Sequence, residues 1–228
     1  MEIHNNKKIT DIKNHNTMGE LREESTLRKK DVTFSNIVGD FLEESFYKGR
    51  VENFIRVYDF ERQIRGIDAT FNMRGKRYIC DEKSAVQYVN RKLNTFALEI
   101  SFIDKQNKIH DGWLVDESKI NNSFLFVWID KAKSNFLSKK EDILSCDIAL
   151  VDKNAILLYL FENGWNKTNL LVKSDKIRKN RNEYKGDVNK DGFKFSYSEQ
   201  LVEKPINILV KRKKLMEIAD FTLEYRNE

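Results

Sequence analysis

The spacing of apolar residues changes character twice along this chain. Phe34, Ile37, Val38, Phe41, Leu42 and Phe46 recur at helical intervals, Thr33 or Ser35 can cap the start, and Gly49 can stop the end. That pattern predicts an amphipathic helix whose polar back carries Glu43, with Glu44 at the edge of the apolar stripe. From Val51 to about Asp130 the pattern becomes strand-rich. Strands are expected at Phe54–Phe60, Ile64–Met73, Lys76–Lys83, Thr95–Asp104, Ile109–Val115 and Ser123–Ile129, with breaks at Gly75, Asn107 and Gly112. A short helix, Ala85–Leu93, fits between the third and fourth. Helix, three strands, helix, strand is an α/β order with a mixed sheet. Beyond about residue 140 a different cadence begins. Asp147–Val151 reads as a short strand, followed by a helix capped by Asp152 and stopped at Gly164. The cadence returns at Asn207–Ala219 and in part at Asn169–Ser174, which suggests repeated strand-to-helix units, with chance recurrence as the alternative.

Composition refines this picture without changing it. Residues 1–30 are rich in Asn, Lys and Glu and hold no sustained period, so they read as a mobile or loosely packed N-terminal segment. The remainder divides into a core at 31–138 and a C-terminal β/α extension packed on it at 139–228. The 41 basic and 36 acidic residues leave a net charge of +5, which permits a polyanionic partner without requiring one. Only three His are present, and Cys80 and Cys146 stand alone, which argues against a zinc cluster or a disulfide framework. The longest apolar run, Ala155–Phe161, has seven residues, far short of a membrane span. No signal-like stretch opens the chain, so a soluble cytoplasmic protein with no membrane partner is expected.

Candidate chemistry centres on residues 66–85, GIDATFNMRGKRYICDEKSA. A turn near Arg74-Gly75 folds the segment into a hairpin. Side chains two apart on a strand share a face, so Asp81 and Lys83 point together, and Asp68 reaches Asp81 if the hairpin is regular. Two carboxylates can hold a hard divalent cation against a phosphate, and a neighbouring ammonium can orient a water or offset developing charge. An ordinary surface ion pair is the plain alternative.

The helix bearing Glu44, the hairpin with Ile67-Asp68 and the strand Arg77–Lys83 resemble the core of the PD-(D/E)XK, or restriction-endonuclease-like, nuclease superfamily. That core is a helix, a meander of three strands, a second helix and a fourth strand. Asp81-Glu-Lys-Ser-Ala, Thr95–Phe102 and Gly112–Asp116 also resemble uncharacterised bacterial and phage-borne members. The resemblance spans roughly residues 34 to 130, with Ile67 standing where the family name has proline. It implies a Mg²⁺-dependent phosphodiesterase, Mn²⁺ substituting, that cuts nucleic acid, DNA first among the expected substrates. Asp68 and Asp81 would be metal ligands, the backbone carbonyl of Glu82 a third, and Lys83 would position the attacking water. Glu44 is the expected acid from the first helix, with Glu99 a further candidate. The rival expectation is a non-catalytic nucleic-acid-binding module on the same fold.

Lys173, Lys176, Arg178, Lys179 and Arg181 lie in a basic segment expected to be an exposed loop and a nucleic-acid contact. A homodimer is left open. Asp187–Gly192 copies half of a calcium loop, but Ser198 stands where the bidentate Glu belongs, so a turn between strands, followed by a strand at Phe193–Tyr197, is the better reading. Trp113, Trp128 and Trp165 are expected in the core or on a cleft wall rather than as base-stacking platforms.

Overall fold

The computed structural model describes residues 34–180 and 193–227. The expected loose segment at 1–30, Arg181 and the Asp187–Gly192 turn lie outside them.

The first helix, α1, runs over residues 34–42 and passes directly into a π turn at Glu43–Tyr47. The Lys48 N–H reaches back five residues to the Glu43 carbonyl, and Gly49 closes the element with φ +75°. Its apolar stripe, from Ile37 to Phe46, is buried as its spacing predicts.

Six strands form the main sheet in the order β1 (Glu52–Arg56), β2 (Ala69–Met73), β3 (Lys76–Ser84), β6 (Ser123–Ala132), β7 (Ile143–Asp152), β10 (Phe221–Arg226). All neighbours are antiparallel except β3 and β6, which run parallel from Cys80 opposite Ser123 to Ser84 opposite Val127. A second antiparallel sheet has the order β5 (Ile109–Asp111), β4 (Thr95–Ile103), β9 (Ile206–Lys211), β8 (Lys194–Tyr197). Every strand on both sides of residue 139 that contributes to the main sheet shares one hydrogen-bonded ladder.

Two hydrophobic layers explain the stacking. On one face of the main sheet α1 packs over Phe71, Tyr78, Cys80, Val127 and Ile148. On the other face Phe124, Phe126, Trp128 and Val151 meet Phe96, Leu98 and Ile100 of β4 and Ile206, Ile208 and Val210 of β9. Strand β6 is therefore apolar on both faces, as a central strand must be, and reads as a continuous run rather than an alternation. Helices α3 (Lys153–Glu162) and α4 (Lys167–Lys179) add Ile156, Leu160, Leu170 and Ile177 to the second layer. The Asp152 carboxylate accepts from the Asn154 N–H to start α3, and Gly164 at φ +84° follows its end. The cadence at Asn207 likewise forms a strand feeding helix α5 (Arg212–Glu217).

Several expectations are corrected. The segment 85–93 forms only one 3₁₀ turn, Val86–Tyr88. Asn90 and Lys92 adopt left-handed backbone, and the Asn90 carboxamide caps the Ala132 N–H at 2.7 Å instead of continuing a helix. Thr95–Ile103 is not the next strand of the main sheet. Its apolar face stacks on that sheet, and β6 takes the place beside β3. A short helix, α2 (Phe60–Ile64), interrupts the expected strands at 54–60 and 64–73, because the Asp59 side chain accepts from the Arg62 N–H and caps it. Asn169–Ser174 lies within α4 rather than forming a third strand-to-helix unit, and Lys173–Lys179 are its last turns rather than a loop. Among the described residues no helix is long and apolar enough to cross a membrane.

Candidate active site

Asp68 arrives on the chain between α2 and β2. Gly66 makes the turn with φ +77°, and the Asp68 backbone is then pinned from both sides. Its N–H donates to the Cys80 carbonyl at 2.9 Å and its carbonyl accepts from the Val57 N–H at 2.8 Å. The last paired positions of the hairpin are Ala69 and Cys80, so Asp68 stands one step further, beside Asp81. Ala69, Phe71, Tyr78 and Cys80 face α1, which leaves Asp68, Asp81 and Lys83 on the opposite face.

Asp81 is 4% exposed. Its Oδ1 lies 2.7 Å from the Lys83 ammonium, and that ammonium sits 5.1 Å from the centre of the Trp113 ring. The Asp68 Oδ2 accepts from the Glu82 N–H at 2.7 Å. Burial and then the repulsion of Asp81 push the Asp68 carboxyl up to about 7, against the backbone hydrogen bond and Lys83, which pull it down. Burial would lower the Lys83 ammonium, yet Asp81, Asp68 and Glu99 hold it above its ordinary value. The cluster is thus richer in carboxylates than Lys83 alone offsets.

The side chain of Glu82 points the other way. Its Oε1 accepts from the Tyr47 hydroxyl at 2.6 Å and from Arg56 Nη1 at 2.7 Å, while Arg56 Nε reaches Glu43 at 2.9 Å. Glu82 therefore enters the site through its backbone. A cavity of about 410 Å³ lies beside this network, lined among others by Glu43, Arg56, Gln63, Asp68 and Glu82.

Glu44 does not join the group. It projects to the surface and pairs with Lys140, whereas Asp40 of α1 and Glu43 of the π turn line the cavity. The π turn changes the phase of the helix at this point, so counting 3.6 residues per turn misplaces both acids. Glu99 lies closer. It accepts from the Trp113 N–H at 3.4 Å, and burial holds its carboxyl above the ordinary range against Lys83. Gly112 permits this approach, since a Cβ there would fall 2.5 Å from the Glu99 carbonyl oxygen.

Sequence reasoning missed Asn121. It is 4% exposed, its Nδ2 donates to the Ser123 carbonyl at 3.2 Å, and its Oδ1 is buried with no hydrogen-bond partner among the described residues. Among the described residues no three His, Cys, Asp or Glu side chains converge as a metal-binding group. Any cation here would rest on two carboxylates and neutral oxygens. That donor set suits a hard ion such as Mg²⁺, which keeps several waters.

The basic residues of α4 divide. Lys176 and Lys179 are exposed, Lys179 pairing with Asp175 at 2.7 Å, and Lys173 is half-buried. Arg178 turns inward, donating to the Ser101 hydroxyl at 2.7 Å and the Lys204 carbonyl at 3.0 Å. Trp128 is buried, while Trp113 and Trp165 are half-buried against the second hydrophobic layer. Comparison with family models, curated proteins and solved structures finds no match to this chain.

Proposed function

We propose that the protein is a divalent-metal-dependent phosphodiester hydrolase of nucleic acid, DNA first, on a restriction-endonuclease-like core. The observation that carries this reading is the meeting of Asp68, Asp81 and Lys83 at the end of one hairpin, with the Asp68 carboxyl raised by burial and by its nearness to Asp81. Supporting it, α1, the β1–β2–β3 meander and the parallel strand β6 follow the family's order, although a 3₁₀ turn and the β4–β5 pair replace its second helix.

Asp68, Asp81 and the Glu82 backbone carbonyl are the groups that would hold the ion. Bound there, it would supply Lewis acidity to a phosphate oxygen and would lower the pKa of a water. Lys83 orients that water by hydrogen bonding, and its ammonium offsets charge gathering on the phosphate oxygens. Trp113 excludes solvent from one side of Lys83. Tyr58 and Phe60 are 79% and 71% exposed and follow Val57, whose N–H meets the Asp68 carbonyl. They offer flat apolar surface of the kind nucleobases stack on.

The rival reading, a non-catalytic nucleic-acid-binding module, draws on one observation, the lack of a third convergent acidic side chain among the described residues. Cleavage separates the two. Protein with Mg²⁺ or Mn²⁺ is incubated with single- and double-stranded DNA and RNA. Asp81→Ala abolishes cutting, and Lys83→Ala keeps metal affinity while slowing it by ~10²-fold or more. A folded wild type that binds Mn²⁺ yet cuts none of the four substrates selects the binding module.

A further inference from the structure

Lys83 occupies one oxygen of the Asp81 carboxylate, Oδ1, and the other faces a different neighbour. A Cβ built on Gly66 would lie 3.5 Å from Asp81 Oδ2 and 3.0 Å from Asn121 Oδ1. With φ +77° and no side chain, Gly66 keeps that point open. The hydrogen bond from Asn121 Nδ2 to the Ser123 carbonyl fixes which way the amide faces, so Oδ1 is the atom turned toward the opening. A buried carbonyl oxygen without a partner is costly, and folded proteins rarely keep one unless something occupies the space beside it. Here a charged oxygen and an orphaned neutral oxygen border one small gap.

We infer that Asn121 Oδ1 is a further ligand of the divalent cation held by Asp81, with Gly66 leaving room for the ion between them. The inference rests on the reading of this cluster as a metal site. An amide oxygen is a hard, neutral donor of the type that Mg²⁺, Mn²⁺ and Ca²⁺ accept alongside carboxylates. It makes up for the third acidic side chain that is lacking among the described residues, and it adds no further charge beside Asp68.

The test is calorimetric titration of the metal-free full-length protein with Mn²⁺, using wild type, Asp81→Ala, Asn121→Ala and Asn121→Asp. Wild type binds and Asp81→Ala does not. Asn121→Ala weakens binding by about tenfold or more, since even partners that only orient a ligand cost that much. Asn121→Asp binds as tightly as wild type or tighter, because a carboxylate is the stronger ligand. If Asn121 serves only to hold Ser123, Asp cannot donate that hydrogen bond, and both variants weaken alike. If Oδ1 holds only a water, both bind as wild type does. Either result overturns the inference while leaving the metal site standing. If wild type binds no Mn²⁺, the reading of the site falls and takes the inference with it. Should Asn121→Ala fail to fold, Mg²⁺ titration of wild type labelled with ¹³C-asparagine reads the Asn121 side-chain carbonyl directly. A shift that saturates with the metal supports ligation, and an unmoved signal overturns it.

Discussion

Asp68→Asn should stabilise the metal-free protein while destroying its affinity for metal. The Asp68 carboxyl rises from an ordinary value of 3.8 to about 7 in the folded state. Below pH 3.8 both folded and unfolded chains hold the proton, so the group contributes nothing. Between there and about pH 7 the unfolded chain has released a proton that the folded protein retains, so stability falls as pH rises. Above about 7 the loss is complete. About three pH units at 1.36 kcal/mol each give a loss of about 4 kcal/mol as an upper figure. Asparagine removes the charge and keeps an oxygen to accept from the Glu82 N–H, so it escapes this loss. The assay is urea unfolding from about pH 5 to 8.5 in EDTA, for wild type and variant. Wild type should weaken with rising pH relative to Asp68→Asn, and saturating Mg²⁺ should restore wild type alone, since metal binds the deprotonated site. Identical pH slopes in the two proteins would refute the raising of Asp68 by burial and by Asp81.

Other consequences are simpler to read. Arg56→Ala breaks the buried ion pair with Glu82, leaving that carboxylate only the Tyr47 hydroxyl, as well as the more exposed pair with Glu43, and should cost ~3–5 kcal/mol in urea unfolding. Gly112→Ala places a methyl group against the Glu99 backbone and should destabilise by about 1–3 kcal/mol, with a change in tryptophan fluorescence as Trp113 shifts from Lys83. Lys176→Glu with Lys179→Glu should weaken nucleic-acid binding most at low salt and reduce the salt slope by about one for each phosphate no longer neutralised, whereas unchanged affinity at all salt concentrations would remove α4 from the binding face.

What could be read from the sequence follows from what its periods encode. A period of 3.6 marked the buried stripe of α1, and a period of two placed Asp81 and Lys83 on one face, because both are properties of a single element, while Asp68 joined them only through the register of the hairpin. Partner choice is not encoded that way. Thr95–Ile103 has the same alternation whether it joins the main sheet or stacks on it, so its place was legible only from the layer formed by Phe124, Phe126 and Trp128. The Ala85–Leu93 segment has apolar spacing fit for a helix, but Asn90 commits its side chain to β6, a tertiary interaction. The π turn altered the phase between Glu43 and Glu44 within a pattern that looks uniformly helical. Asn121 carried no motif at all. Its significance lies in an unpartnered oxygen beside Gly66 and Asp81, which exists only once the loop, the turn and β3 have met.

Whether Asp68 and Asp81 hold a divalent cation that Lys83 serves is tested most directly by anomalous diffraction from crystals grown with saturating Mn²⁺. A peak should appear between the two carboxylates, with oxygens ~2.1 Å away and Lys83 reaching a water of the ion. No peak there at saturating Mn²⁺, or a Lys83 ammonium occupying that space, would contradict metal binding by this pair.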